Sequence, residues 1–258
     1  MEKGICLLSI IPLRKDPSDK SEMVSQLLFG ETYEIKEENS AWYRILTGFD
    51  AYSGWIDKKM HSHVSDAYYR RIEQGRYTVT SSISATLLTS DNNTLTITAG
   101  STLGENIQNG LINIDTHTYR LAEKLSGPFP QYQGHIMDTA KQFLYSPYLW
   151  GGRSPFGFDC SGYIQIVYKI MGRKLYRDAA QQATMGKPVN TLQQLHKGDL
   201  VFFCNDDHKV VHAGLAMPPD KIIHCSGMVR TDFLDEKGIF NQQTREYTHR
   251  LHSMRRVI

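Results

Sequence analysis

The chain has little cysteine, no long apolar run and almost no excess of charge of either sign. Four cysteines in 258 residues, Cys6, Cys160, Cys204 and Cys225, are too few and too irregularly spaced for a disulfide framework. A reduced compartment is expected, and with it a cytoplasmic location. Nothing approaches the roughly 18 consecutive apolar residues of a membrane span. The apolar stretch from Ile5 to Ile11 follows Lys3 like a weak signal peptide, but at about seven residues it sits at the lower limit for one and lacks a small-residue cleavage site. A leader trimmed upstream would instead place the protein in the periplasm. Lys and Arg number 29 against 27 Asp and Glu, a net charge of +2 that gives no electrostatic reason for a nucleic-acid or anionic-membrane partner. With 40% hydrophobic and 22% charged residues the composition is that of a globular chain, long enough for two or three small domains.

Short apolar strands separated by polar or Gly-containing turns run from Ile5 to about Met60, which predicts a small all-β barrel over residues 1–62. A polar stretch, 61–76, holds one expected helical turn. Thr-, Ser-, Ile- and Leu-rich strands with turn signals at Asp91-Asn92-Asn93, Ala99-Gly100 and Asn109-Gly110 predict a second barrel over 77–125. Ser126-Gly127-Pro128 closes it, a helix is expected from Ile136 to Tyr145, and a third domain occupies 128–258.

The third domain carries the chemistry. Cys160 follows a glycine-rich turn and opens a helix in which Ile164, Val167, Tyr168 and Met171 recur at helical spacing, with Asp159 as N-cap and Gly172 as stop. A sulfur at a helix N-terminus is expected to have a lowered pKa, which makes it a nucleophile at neutral pH. Downstream, Leu200 to Phe203, Val210 to Met217 and Lys221 to Cys225 read as an antiparallel meander. Alternation puts His212 on one face of its strand and His224 on one face of the next. One imidazole would take the thiol proton and the other would orient the first. Cys204, His208, His212, His224 and Cys225 also offer zinc ligands, but the turn-like 205–209 segment and the opposed faces of His224 and Cys225 disfavour a shared ion. No metal or organic cofactor is expected.

Pro147-Tyr148, Trp150-Gly151-Gly152, Phe158-Asp159-Cys160-Ser161-Gly162, Arg177-Asp178, Gln182, Gly198-Asp199-Leu200, His212-Ala213-Gly214 and His224 together resemble the NlpC-type papain-like cysteine peptidases of bacterial cell-wall metabolism. Ala213 departs from a pattern in which valine is common. The barrels resemble bacterial SH3-like domains, and the three-domain order is similar to γ-D-glutamyl-L-diamino acid endopeptidases that trim and recycle murein peptides. The resemblance implies an α+β fold, with helices packed on a small antiparallel sheet, preceded by two SH3-like barrels. It implies Cys160 as nucleophile, His212 as general base, His224 as third member and Tyr148 beside the oxyanion hole. It also implies substrate contacts from Asp159 and Ser161, and from Tyr52 and Glu22 of the first barrel, which would recognise a free N-terminal L-alanine. A monomer acting on small peptidoglycan-derived peptides is the expectation. An amidase or acyltransferase on the same thiol scaffold and a non-catalytic wall-binding protein are the rival readings.

Overall fold

The computed structural model describes residues 2–105, 107, 109–122 and 135–257. The boundary expected at Ser126-Gly127-Pro128 lies outside them. The chain divides into two compact units, residues 1–133 with 169–174, and residues 134–168 with 175–258.

The first unit opens with β1 (Lys3–Ile5), β2 (Ile10–Arg14), β3 (Met23–Leu28), β4 (Thr32–Glu38), β5 (Trp42–Thr47) and β6 (Ser53–Asp57), which form one sheet in the order β1-β4-β5-β6-β2-β3. Alternation decides which side chains it buries: Ile11, Leu13, Leu27, Tyr33, Ile45 and Ile56 face one core. Where a single helical turn was expected stands α1 (Asp66–Glu73), eight residues long. Ser65 caps it by accepting from the Tyr68 amide, and Tyr68, Tyr69 and Ile72 form its buried stripe. After it come β7 (Thr78–Val79), β8 (Ser84–Leu88), β9 (Thr94–Thr98), β10 (Thr102–Leu103), β11 (Leu111–Ile114) and β12 (His117–Leu121). Four of these make a sheet in the order β11-β12-β8-β9, and β7 pairs with β10. Ile5 of β1 and Phe29, just after β3, share a hydrophobic cluster with Tyr68, Leu87, Ile97 and Ile112, so the two β segments are joined by a common core.

The second unit contains α2 (Ile136–Lys141), the short hairpin of β13 (Arg153–Ser154) and β14 (Gly157–Phe158), α3 (Cys160–Ile170), α4 (Ala179–Gln182), and β15 (Lys187–Val189), β16 (Leu200–Cys204), β17 (Val210–Met217), β18 (Lys221–Ser226), β19 (Met228–Leu234), β20 (Gly238–Asn241) and β21 (Glu246–Arg256). The expected meander is present in β16, β17 and β18. The sheet is larger than expected, with seven strands in the order β15-β21-β16-β17-β18-β19-β20, and a further β20–β21 pairing closes six of them into a barrel. Val201, Phe203, Ala216, Ile222, Leu234, Ile239 and Met254 form one hydrophobic cluster of this unit. The helix α3 is buried along its whole length because its apolar residues find partners on several sides. Its Tyr163 ring meets Phe143 and Phe158 edge-on, and its Tyr163 and Tyr168 hydroxyls donate to the carbonyls of Ala140 (3.0 Å) and Gly198 (2.8 Å).

Candidate active site

Cys160 is the first residue of α3, held there by a cap and a buried ion pair. The Asp159 carboxylate accepts from the amides of Gly162 (2.7 Å) and Gly151 (3.0 Å), and Arg177 grips it with both Nη atoms, at 3.0 and 2.5 Å. Ser161 joins the network, accepting from Arg177 Nη1 at 3.0 Å and lying 3.3 Å from Asp159 Oδ1. Both residues expected to contact substrate are therefore engaged within the protein, and Asp159 serves as the helix cap. The turn tolerates no side chain at Gly162, where an added Cβ would stand 2.2 Å from the Gly152 carbonyl oxygen. That close approach explains the paired glycine positions before and after the cysteine.

The thiol meets the sheet where β17 and β18 part. Their pairing ends at Gly214 and His224. The Ala216 amide donates to Asp199 on the β16 side, so the alternating Ala213 amide points the other way, past the end of the β18 ladder. The backbone amides of Ala213 and Ser161 lie near enough to the Cys160 sulfur to favour its thiolate form. His212 is thus the residue next to a close neighbour of the thiol.

The two expected histidines come together, although diagonally and not directly opposite. His212 Nε2 lies 2.8 Å from His224 Nδ1, with the rings nearly perpendicular. Gly214 permits this, since a Cβ there would meet Ile222 Cδ1 at 2.5 Å and His224 Cβ at 3.0 Å. Three residues that sequence reasoning missed complete the cluster. His224 Nε2 lies 3.0 Å from Asp232 Oδ2 on β19, and Arg230 Nη2 donates to Asp232 Oδ1 at 2.9 Å. Arg230 Nε also stands 2.8 Å from Oδ2, as a charge contact without an aligned hydrogen bond. On the other side the His249 ring of β21 stacks on His212, with centroids 4.0 Å apart and 26° between planes. Cys160, His212, His224 and Asp232 are 8%, 5%, 1% and 8% exposed, so their interactions run in a medium much less polar than water.

Burial reverses the expected thiol chemistry. It pushes the Cys160 thiol up to about 11, assisted by the Asp159 charge, and the amides of Ala213 and Ser161 do not compensate. A helix N-terminus is worth about 0.3–1 kcal/mol to an exposed anion, whereas desolvating an ion costs several kcal/mol, so desolvation wins. The same burial, together with the neighbouring His224 and His249, holds His212 well below the usual imidazole range. Burial likewise brings His249 down to about 4. The resting pair is therefore a neutral thiol and a neutral imidazole. His212 must be neutral to accept a proton, and its depressed pKa means that kcat/KM should hold as pH falls through 6.5, declining only in more acidic solution. Iodoacetamide labelling of Cys160 should climb about tenfold per pH unit from 8 to 10, following the thiolate fraction. A labelling plateau below pH 7 would instead reveal a preformed thiolate–imidazolium pair.

Residues 145–255 match the NlpC/P60 family, and residues 13–59 match the bacterial dipeptidyl-peptidase SH3 domain. Residues 145–255 are an NlpC/P60 domain. The chain is 25% identical to a gamma-D-glutamyl-L-lysine dipeptidyl-peptidase of Bacillus cereus, over 80% of this chain and 68% of the relative. A protein of the same description from Bacillus subtilis is 42% identical, over 38% of this chain and 34% of its own length. The crystal structure of an NlpC/P60 family protein from Bacillus cereus superposes with a TM-score of 0.78 at 19% identity, covering 98% of this chain and 99% of that one, which shows the shared fold.

Within the NlpC/P60 domain, Tyr148 is half-buried, and burial followed by the neighbouring Cys160 pushes its hydroxyl up to about 12, so it remains a donor at neutral pH. The other two expected contacts belong to the SH3 domain. Tyr52 lies in the turn between β5 and β6, partly buried against that domain's core, with its amide donating to Thr47 Oγ1 at 2.8 Å. Glu22 lies just before β3 with an exposed carboxylate 3.4 Å from Lys15 Nζ.

Proposed function

We propose that this protein is a cysteine peptidase of cell-wall peptides that hydrolyses the bond between γ-D-glutamate and the diamino acid, L-lysine or meso-diaminopimelate, in peptides with a free N-terminal L-alanine. The observation that carries the reading is the buried cluster of a helix-opening thiol beside β17 with His212, His224 and Asp232 in hydrogen-bonded sequence. Its support comes also from the NlpC/P60 match and from relatives described as gamma-D-glutamyl-L-lysine dipeptidyl-peptidases.

A neutral pair sets the order of events. As Cys160 Sγ adds to the γ-carbonyl carbon, its proton passes to His212. The oxyanion that forms is held by the Cys160 backbone amide and the Tyr148 hydroxyl, a donor pair of the kind that stabilises tetrahedral intermediates. Collapse breaks the C–N bond, His212 returns the proton to the departing amine, and a γ-glutamyl thioester remains. Water then attacks the thioester with His212 again as base, releasing the dipeptide and the thiol.

Glu22 and Tyr52 are the proposed recognition pair for the ammonium of L-alanine, a carboxylate and a ring face suited to a cation. Capping that amine removes the positive charge that the carboxylate and the ring would recognise. Mass spectrometry of digests of L-Ala-γ-D-Glu-diamino-acid peptides should therefore show a free diamino acid product, with N-acetylated peptides cut at least about tenfold more slowly. Glu22→Ala and Tyr52→Ala should narrow that gap. Equal cleavage of both peptides by the wild-type protein would remove the SH3 domain from the specificity argument.

A further inference from the structure

The geometry points to Asp232 as a positioning residue that fixes, through His224, which nitrogen of His212 carries the proton. This rests on His212 being the base of the proposed reaction. An ionised carboxylate can only accept hydrogen bonds, so His224 must present an N–H at Nε2 to Asp232 Oδ2, 3.0 Å away. With one proton on each ring, His224 Nδ1 is then bare and can only accept. His212 Nε2, 2.8 Å from it, must be the donor. The lone pair of His212 is thereby placed on Nδ1, the nitrogen left over for the thiol proton. Reversing the order at Asp232 would reverse it at His212 and leave the base with a proton where it needs a lone pair.

Two features hold the sequence in place. Although burial alone would raise Asp232, hydrogen bonds from His224 and Arg230 keep its carboxyl below the usual range, so it is an acceptor throughout the neutral region. The His212 ring cannot readily turn over to exchange its nitrogens, since His249 stacks on it at 4.0 Å and Phe203 tilts against it at 5.9 Å. Asp232 also lends negative charge to the imidazolium that forms when His212 takes the proton. None of these residues touches the reacting carbonyl; Asp232 acts only through His224.

Nitrogen-15 NMR of the full-length wild-type protein, labelled in its imidazoles, tests this without turnover. At pH 7.5 His212 should carry its proton on Nε2 and be bare at Nδ1. A proton on Nδ1 overturns the inference. In Asp232→Asn the amide can donate as well as accept, so His212 should shift toward the Nδ1-protonated form and kcat should fall about 10–100-fold with KM nearly unchanged, less than the roughly 10⁴-fold loss when the altered carboxylate touches the base directly, because Asp232 acts through His224. Asp232→Glu should restore part of the rate. An unaltered tautomer and unaltered kcat in Asp232→Asn would also overturn it. Should that variant fail to fold, the wild-type spectrum decides alone. Should the wild-type protein cut no peptide, the peptidase reading fails while the tautomer result stands.

Discussion

Cys160→Ala should lower turnover of L-Ala-γ-D-Glu-diamino-acid peptides by more than about 10⁴-fold, because covalent catalysis is lost outright and the oxyanion donors and His212 are left without a nucleophile to serve. His212→Ala should come close to the same loss. His224→Asn should cost less, since an amide can keep the hydrogen bond to His212 while giving up the one to Asp232. The other cysteines serve as internal controls. Cys225 Sγ donates to the Phe158 carbonyl at 3.2 Å and Cys6 Sγ to that of Leu8 at 3.2 Å, and burial pushes both thiols up. Changing either to serine, or Cys204 to alanine, should leave the chemistry in place. Steady-state kinetics of these variants checks the set, and substantial hydrolysis by Cys160→Ala would end the mechanism.

Arg177→Met should be the most destabilising single change near the site, by about 3–5 kcal/mol, because it strands the Asp159 carboxylate in the interior. Arg177 is 1% exposed, and its two nitrogens supply two of the donors that the carboxylate accepts. The pair as a whole need not be strongly stabilising, since burying both charges has its own large cost. Removing one partner is what leaves a charge uncompensated. Urea unfolding followed by near-ultraviolet absorption should show a lowered midpoint, and the simultaneous change Arg177→Met with Asp159→Asn should recover part of it. A midpoint unchanged in Arg177→Met would mean that solvent reaches the carboxylate.

The part of this site that is local in sequence was readable from it. Asp159 before Cys160, the apolar spacing behind it and Gly172 at its end predicted α3, which runs Cys160–Ile170 with Gly172 in the left-handed region. Turn signals and alternation predicted β16 to β18, including the shared face of His212 and His224. What went unread depends on pairings between distant segments. Residues 246–256, EYTHRLHSMRR, form one of the longest strands, yet only Met254 in it is fully buried, so no apolar alternation announces it. Its pairing with β16, β15 and β20 is what brings His249 to His212. Asp232 likewise sits in a strand whose pattern alone looks ordinary, and its position across from Ile222 makes it a neighbour of His224. The thiol pKa was misjudged for a related reason: a helix N-terminus is visible in sequence, whereas the depth at which it lies is a property of the assembled sheet.

The three pairings of β21 also make closure of the barrel a long-range event. Met254, Arg255 and Arg256 pair with β15, residues 65 to 69 positions earlier, and Glu246 to Arg250 close the ring against β20. It is β21 that covers one edge of β16 and supplies the stacking partner of His212. The barrel therefore closes only with β21 in place, and the His212–His249 stack forms with it.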